Sequence, residues 1–159
     1  MPPPLSLEVP GRGAGGEEFD KPMKISVLYN ESAGDGLSLS QIRGVLERHG
    51  HDVVHVIEKD SEFARVFDGE TELVVAAGGD GTVWRAAHAL IGQKVPLAVL
   101  PTGTANNIAS SLGIQGEIDD VVSSWATAER CAFDIGQLHW PPNECRIVEG
   151  IGGGLIPAG

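Results

Sequence analysis

One run of residues carries most of the information on the fold: Glu72-Leu73-Val74-Val75-Ala76-Ala77-Gly78-Gly79-Asp80-Gly81-Thr82. Its first part, 72–77, is apolar and rich in β-branched residues, which is typical of a strand buried on both faces of a parallel sheet. Three glycines then predict a tight turn, and residues 83–91 predict a helix. This order of strand, glycine turn and helix is typical of an α/β fold.

The same order recurs immediately downstream. Residues 97–100 form a second apolar run, Leu-Ala-Val-Leu, and the loop 101–107 follows with the sequence Pro-Thr-Gly-Thr-Ala-Asn-Asn. A helical segment then continues to Leu112, and Gly113 suits the left-handed position that ends many helices. The chain therefore repeats the strand–loop–helix order twice in succession.

The flanking sequence extends this alternation. Upstream, an apolar strand over 25–28 ends in the polar loop 30–36, and Ile42, Val45 and Leu46 then recur at helical spacing. The remaining predicted segments are a strand over 53–57, a short helix over 63–67, a helix over 117–128 and strands over 130–138 and 145–151. We therefore predict an α/β fold with a mainly parallel sheet, flanked by helices and joined by right-handed crossovers.

Three predicted strands end in polar or glycine-rich loops, at 30–36, 78–82 and 102–107. Ligands of open parallel sheets bind outside the carboxyl ends of the strands, so we expect these loops to share one crevice. Each loop opens a helix, whose unsatisfied amides and positive dipole end favour phosphate. No Lys is followed by Ser or Thr, which excludes the lysine-bearing P-loop. The alternative interpretation is a set of tight strand-to-helix turns.

Asp80 distinguishes these interpretations. A carboxylate among phosphate-facing amides would repel the ligand unless it faced a metal ion or accepted a proton. Phosphoryl transfer uses such a group to orient or deprotonate the attacking hydroxyl, while Mg²⁺ neutralises charge on the phosphates. The competing structural role for Asp80 is helix capping.

Together the loops resemble those of the diacylglycerol kinase catalytic-domain superfamily, which includes bacterial lipid kinases: Gly-Gly-Asp-Gly-Thr at 78–82 and Leu-Pro-Thr-Gly-Thr-Ala-Asn-Asn at 100–107. Phe-Asp-Ile-Gly at 133–136 and Glu-Gly-Ile-Gly-Gly-Gly at 149–154 also look like the family's domain junction. The resemblance runs from Lys24 to the C-terminus. It implies a nucleotide-binding lobe that is followed by a β-sandwich lobe, and transfer of the ATP γ-phosphate to a diacylglycerol-like or sphingoid-like hydroxyl with Mg²⁺.

The resemblance also implies roles for individual residues. Asp80 is the expected catalytic base or metal-linked carboxylate, and Asp134 the expected acid of a water and metal network at the domain junction. The expected nucleotide contacts are Asn30, Ser32, Gly79, Gly81, Thr82, Thr102, Gly103, Thr104 and Asn106.

Three positions depart from the family pattern. The first loop lacks the proline often found after Asn30, Asn107 stands where the family commonly has Asp, and Ser110 replaces a frequent Arg. A neutral amide at position 107 weakens the acidic network there. The sequence also ends at Gly159, where the second lobe is expected to begin. We therefore expect a nucleotide-binding half that is inactive alone and that meets its lipid substrate through the second lobe.

The sequence predicts three regions. Residues 1–22 are rich in Pro and Gly and predict a disordered leader, with Met23 as a candidate translation start. Residues 23–140 form the predicted α/β nucleotide-binding lobe. Residues 141–159 are the expected start of the truncated second lobe.

Composition excludes several function classes. The 159 residues include 11 basic and 22 acidic side chains, and the resulting net charge of −11 disfavours nucleic acid as a partner. No membrane-length apolar run and no signal segment is present, so we predict a cytoplasmic protein, with peripheral contact at the inner membrane face only through the second lobe.

Two other functions stay open at this point. An NAD kinase-like enzyme shares the Gly-Gly-Asp-Gly-Thr loop, but the acidic Asn-Glu-type motif expected of NAD kinases is not seen after that loop. A non-catalytic nucleotide-binding module is the alternative from another class.

Overall fold

The computed structural model describes residues 5–12, 21–30, 37–58, 60–140 and 143–147. These form two sheets, one of four strands and one of three. The strands are β1 (Leu5–Arg12), β2 (Lys24–Tyr29), β3 (Asp52–Ile57), β4 (Leu73–Gly78), β5 (Leu97–Pro101), β6 (Ala128–Trp140) and β7 (Asn143–Ile147). The helices are α1 (Leu39–Arg48), α2 (Asp80–Ala89), α3 (Asn107–Ser111) and α4 (Ile118–Ser124), with 3₁₀ helices over Asp60–Phe67 and Trp125–Thr127.

The four-stranded sheet has the order β3-β2-β4-β5 and all its pairings are parallel. Every residue of β4 is buried, because helices cover both faces of the sheet. Leu73, Val75 and Ala77 pack in one cluster with α1 and α4. Val74 and Ala76 pack in the other cluster, with α2, α3 and the first 3₁₀ helix. The predicted α/β fold, a parallel sheet flanked by helices, is confirmed.

Helix α1 begins with a reciprocal capping box. The Ser38 side chain accepts from the Gln41 backbone N–H, and the Gln41 side chain accepts from the Ser38 N–H. Gly50, just past the helix, has φ 84°, the left-handed backbone with which many helices end. The start and end of α1 are therefore encoded within a few residues of the helix itself.

The structure corrects the predicted disordered leader. Residues 5–12 form β1, which pairs antiparallel with β6 from Leu5–Ile135 to Arg12–Ala128. The alternation of apolar and polar residues over 5–9 has the two-residue period of a strand, and pairing with β6 satisfies the backbone groups that the leader would otherwise leave open. Pro10 is tolerated because β1 is the edge strand. Residues 1–4 and 13–20 lie outside the described residues.

Part of the predicted α/β lobe, residues 128–140, lies in the antiparallel sheet. Strand β6 begins at Ala128 and pairs with β1 and β7 in this second sheet. Part of the predicted helix over 117–128 is observed as α4, and a 3₁₀ turn ends it at Thr127. The last predicted strand is observed over Asn143–Ile147, and the residues after 147 lie outside the described part. Within the described ranges, no helix has both the length and the apolar character needed to cross a bilayer.

Candidate functional site

The strand ends at the carboxyl edge of the parallel sheet place Asn30, which begins the first loop, beside the starts of the second and third loops. Tyr29 of β2 pairs with Ala77 of β4, and Gly78 of β4 pairs with Pro101 of β5. The Asn30 N–H donates to the Ala77 carbonyl over 3.4 Å. Asn30 therefore lies next to the strand end that carries the second loop. Ser32, in the first loop, lies outside the described residues.

The second and third loops are in direct backbone contact. A Cβ atom on Gly103 would overlap the Gly79 Cα and lie 2.7 Å from the Gly79 nitrogen. Only a glycine at 103 permits this approach, because the opposing atoms belong to the backbone and cannot turn aside. The predicted ligands Gly79 and Gly103 therefore form one wall of the crevice.

Helix α2 presents its N-terminus at this wall. Gly79 is the N-cap residue and provides no side-chain cap. The first amides that bond within the helix are those of Thr82 and Val83, which donate to the Gly79 carbonyl over 2.9 and 3.2 Å. The amides of Asp80 and Gly81 precede these bonds and lie at the positive end of the helix dipole. This arrangement suits an anionic group such as phosphate.

The predicted threonine ligands differ in exposure. Thr104 is exposed and Thr102 is half-buried, so both hydroxyls lie near the surface of the third loop. Thr82 is only 3% exposed and folds back on Gly78, where a Cβ atom would collide with the Thr82 hydroxyl. In this structure Thr82 packs beneath the second loop, while Thr102 and Thr104 line its neighbour.

Asp80 joins the second loop to α3. It is the first residue of α2, and its Oδ1 accepts a hydrogen bond from the Ile108 backbone N–H over 2.9 Å. The N-cap of α3, Asn106, makes no side-chain cap bond to that helix, so Asp80 supplies a cap from another loop. Asp80 is therefore a helix cap, as the alternative interpretation expected, but it caps α3 and not its own helix α2.

Asn106 lies in the third loop, and its side chain bonds to the backbone of that same loop. Its Oδ1 accepts from the Gly103 N–H over 3.0 Å, and its Nδ2 donates to the Gly103 and Pro101 carbonyls over 2.6 and 3.3 Å. With φ 52° it is the non-glycine residue of positive φ in the described chain. Sequence reasoning missed this role; the tolerance of asparagine for left-handed backbone was its only local signal.

The second predicted acid, Asp134, lies in the other sheet. It is exposed on β6, where its backbone pairs with Ser6 of β1. Its neighbour Ile135 is buried and packs with the cluster that includes α2 and α3. Among the residues with described side chains, no three His, Cys, Asp or Glu residues group closely enough to hold a metal ion. The described chain thus provides separate acids rather than a complete metal centre.

A groove that the sequence did not predict runs along the outer side of α2. An aromatic residue on the first turns of a helix usually packs against the sheet, but Trp84 is 39% exposed and stacks on His88 with ring centroids 5.0 Å apart. Arg85 pairs with Asp60 of the 3₁₀ helix, its Nε 2.7 Å from Oδ1. The groove measures about 190 Å³, and its lining is Asp60, Phe63, Trp84, Arg85, His88 and Ala89.

These features define an α/β domain with a glycine-lined crevice at the carboxyl edge of its sheet. Comparison with known proteins identifies the family of this domain. The chain belongs to the diacylglycerol kinase catalytic domain family, whose model matches residues 24–138. The resemblance inferred from the two glycine loops is thereby confirmed.

Three relatives illustrate the similarity. A "Diacylglycerol kinase" of Mycobacterium tuberculosis is 31% identical over 130 residues, covering 73% of this chain and 40% of the relative. A "Probable lipid kinase YegS-like" of Citrobacter koseri is 33% identical, covering 71% of this chain and 41% of the relative. A crystal structure of a diacylglycerol kinase from Bacillus anthracis matches the fold with a TM-score of 0.51 and 24% identity, over 65% of this chain and 42% of that one. The chain spans about two fifths of the length of these relatives.

Proposed function

We propose that this chain is the nucleotide-binding part of an ATP-dependent lipid kinase, which transfers the γ-phosphate to a diacylglycerol-like or sphingoid-like hydroxyl. The observation that carries the proposal is the backbone contact of Gly79 with Gly103, beside the open N-terminus of α2, in a member of a lipid kinase family. The glycine contact and the N-terminus of α2 together form a cradle for phosphate at the strand ends.

The nucleotide contacts follow from this cradle. The amides of Asp80 and Gly81 and the hydroxyls of Thr102 and Thr104 are the proposed phosphate donors of the second and third loops. Asn30 and Ser32 are proposed to contact the nucleotide from the first loop, which begins beside the Ala77 carbonyl. Thr82, which is 3% exposed, would support the second loop from beneath.

Asp80 is the proposed general base of the chemical step. The lipid hydroxyl oxygen forms a bond to the γ-phosphorus, the bond from that phosphorus to the ADP oxygen breaks, and the hydroxyl proton passes to the carboxylate. The bond from the Ile108 N–H holds Oδ1 in place, and Oδ2 has no hydrogen-bond partner among the described residues. A carboxylate that is held at one oxygen suits a general base.

We propose that Mg²⁺ binds beside Asp80. Asp80 is the carboxylate that the described crevice offers, and proteins commonly hold Mg²⁺ with one or two carboxylates and the substrate phosphates. Asp134 lies on the second sheet and remains a proposed outer contributor through water. The cation, when bound, would neutralise charge on the phosphates.

The test is phosphate transfer from labelled ATP by the complete gene product, with Mg²⁺ and a panel of diacylglycerol, sphingoid bases, other lipid alcohols and NAD. Transfer to one lipid is the expected result and would name the acceptor. Transfer to NAD alone would assign an NAD kinase-like activity instead. Binding of ATP with no transfer to any acceptor would leave a non-catalytic nucleotide-binding module.

A further inference from the structure

The third loop is held by one side chain. Asn106 makes three hydrogen bonds to the backbone of Pro101 and Gly103, and both ends of its amide take part. An amide that bonds in this way closes the loop on itself, because its oxygen accepts and its nitrogen donates across the same turn. Little hydrogen-bonding capacity is left for a ligand.

The closed loop positions Gly103 against Gly79 and the Ile108 amide against Asp80. Gly103, which the Asn106 side chain holds at both its N–H and its carbonyl, is the residue that touches the Gly79 backbone. The left-handed backbone of Asn106, with φ 52° and ψ 41°, then turns the chain into α3. This turn places the Ile108 N–H where the Asp80 Oδ1 accepts it over 2.9 Å.

We infer that Asn106 is a positioning residue and not the nucleotide ligand that the family resemblance implied. Its side chain latches the third loop so that Gly103 meets Gly79 and the Ile108 amide orients the Asp80 carboxylate. A loop that its own side chain orders lowers the cost of ordering on binding. The part of this inference that concerns nucleotide binding rests on the proposed function; the latch itself does not.

The test compares three variants of the full 159-residue chain by backbone amide hydrogen exchange without ligand. Asn106→Gly keeps the left-handed backbone and removes the three bonds, so it isolates the side chain. Asn106→Asp keeps an oxygen that can accept from the Gly103 N–H. It replaces the donating amino group with a second oxygen, which repels the Pro101 and Gly103 carbonyls. Ser110→Ala, at an exposed position of α3, is the matched control. We expect exchange at Gly103 and Ile108 to accelerate by about tenfold in both Asn106 variants, since about one net hydrogen bond of stability is lost.

The control variant should leave exchange at both amides unchanged, and melting temperatures show whether each variant folds. Unchanged exchange at Gly103 and Ile108 in Asn106→Gly would overturn the latch. Nucleotide affinity is then measured with ATP on the same proteins, and we expect it to weaken about tenfold in Asn106→Gly. Weaker affinity with unchanged exchange would restore Asn106 as a direct ligand. Faster exchange in a chain that binds no ATP even as the wild type would support the latch and refute the proposed function.

Discussion

Helix α1 and the two helices at the crevice begin in different ways. The start of α1 is closed by reciprocal bonds between Ser38 and Gln41, three residues apart. Helix α2 follows its N-cap residue Gly79 with no side-chain cap, and the Ile108 amide of α3 is capped by Asp80, 28 residues away in sequence. Helix α1 is capped by its own residues, whereas the two crevice helices leave amides open or depend on one another. The site is therefore built from contacts between loops.

The largest effect that separates the two kinds of helix start is expected at Asp80. In the complete gene product, Asp80→Asn should lower phosphate transfer by at least about a hundredfold, because a neutral amide is a poor proton acceptor. The amide oxygen can still accept from Ile108, so the melting temperature of the 159-residue chain should hardly change. Asp80→Ala should lose the cap as well, at a cost of about 1 kcal/mol in the free energy of unfolding. Equal transfer by wild type and Asp80→Asn would remove Asp80 from the chemistry.

The contact between Gly79 and Gly103 should give the next largest effect. Gly103→Ala should cost about 2–3 kcal/mol in the free energy of unfolding or separate the two loops, because its methyl group meets backbone that cannot move aside. Gly81→Ala is the matched control: its Cβ meets nothing within 4 Å, so stability should be unchanged or slightly raised. Denaturant unfolding of both variants measures the difference. Similar stabilities would show that the loops do not need the contact.

The capping box of α1 offers the opposite test. Ser38→Ala should cost about 1 kcal/mol in the free energy of unfolding, because the side-chain half of the reciprocal cap is lost. It should not alter ATP affinity, since the lost cap bond lies within α1 and Ser38 is not among the proposed nucleotide contacts. The matched control, Ser123→Ala at an exposed position of α4, should leave both properties near those of the wild type. Weaker ATP affinity in Ser38→Ala would break the distinction between local and crevice helix starts.

The smallest expected effect is a pH dependence on the α1 side. Burial lowers the pKa of His51 from its ordinary value of 6.5, and the nearby His49 lowers it further. The Nδ1 of His51 has no hydrogen-bond partner among the described residues. The unfolded chain therefore binds the proton more readily than the folded chain. Stability from the neutral ring is full above pH 6.5 and is lost as the pH falls below it.

Melting temperatures between about pH 7.5 and 5.5 measure this effect, because that range spans the ordinary titration of histidine. His51→Gln should flatten the decline relative to the wild type, while His139→Gln, at an exposed position, should not. A wild-type decline that is identical in His51→Gln would assign the pH dependence to other groups.

Sequence predicted the parallel sheet and its loops because their signals are local. The apolar run over 73–77 and the glycines after it specify a buried strand and a turn without reference to the rest of the chain. The helix end at Gly113, with φ 72°, followed from the same local chemistry.

The features that sequence did not predict are long-range. Strand β1 forms by pairing with β6, more than a hundred residues away, and the proline and glycine content around it outweighed its alternation. The inward turn of the Asn106 side chain and the bond from Ile108 to Asp80 depend on how two loops meet. Neither loop specifies that meeting by itself.

The central claim, that nucleotide phosphate binds at the crevice, is tested most directly by titrating the ¹⁵N-labelled 159-residue chain with ATP and following its backbone amides. We predict saturable shifts at Gly79, Gly81, Gly103 and Thr104, and none at Trp84 or His88 on the outer side of α2. Shifts confined to the Trp84 groove, or no shifts at millimolar ATP, would contradict the account.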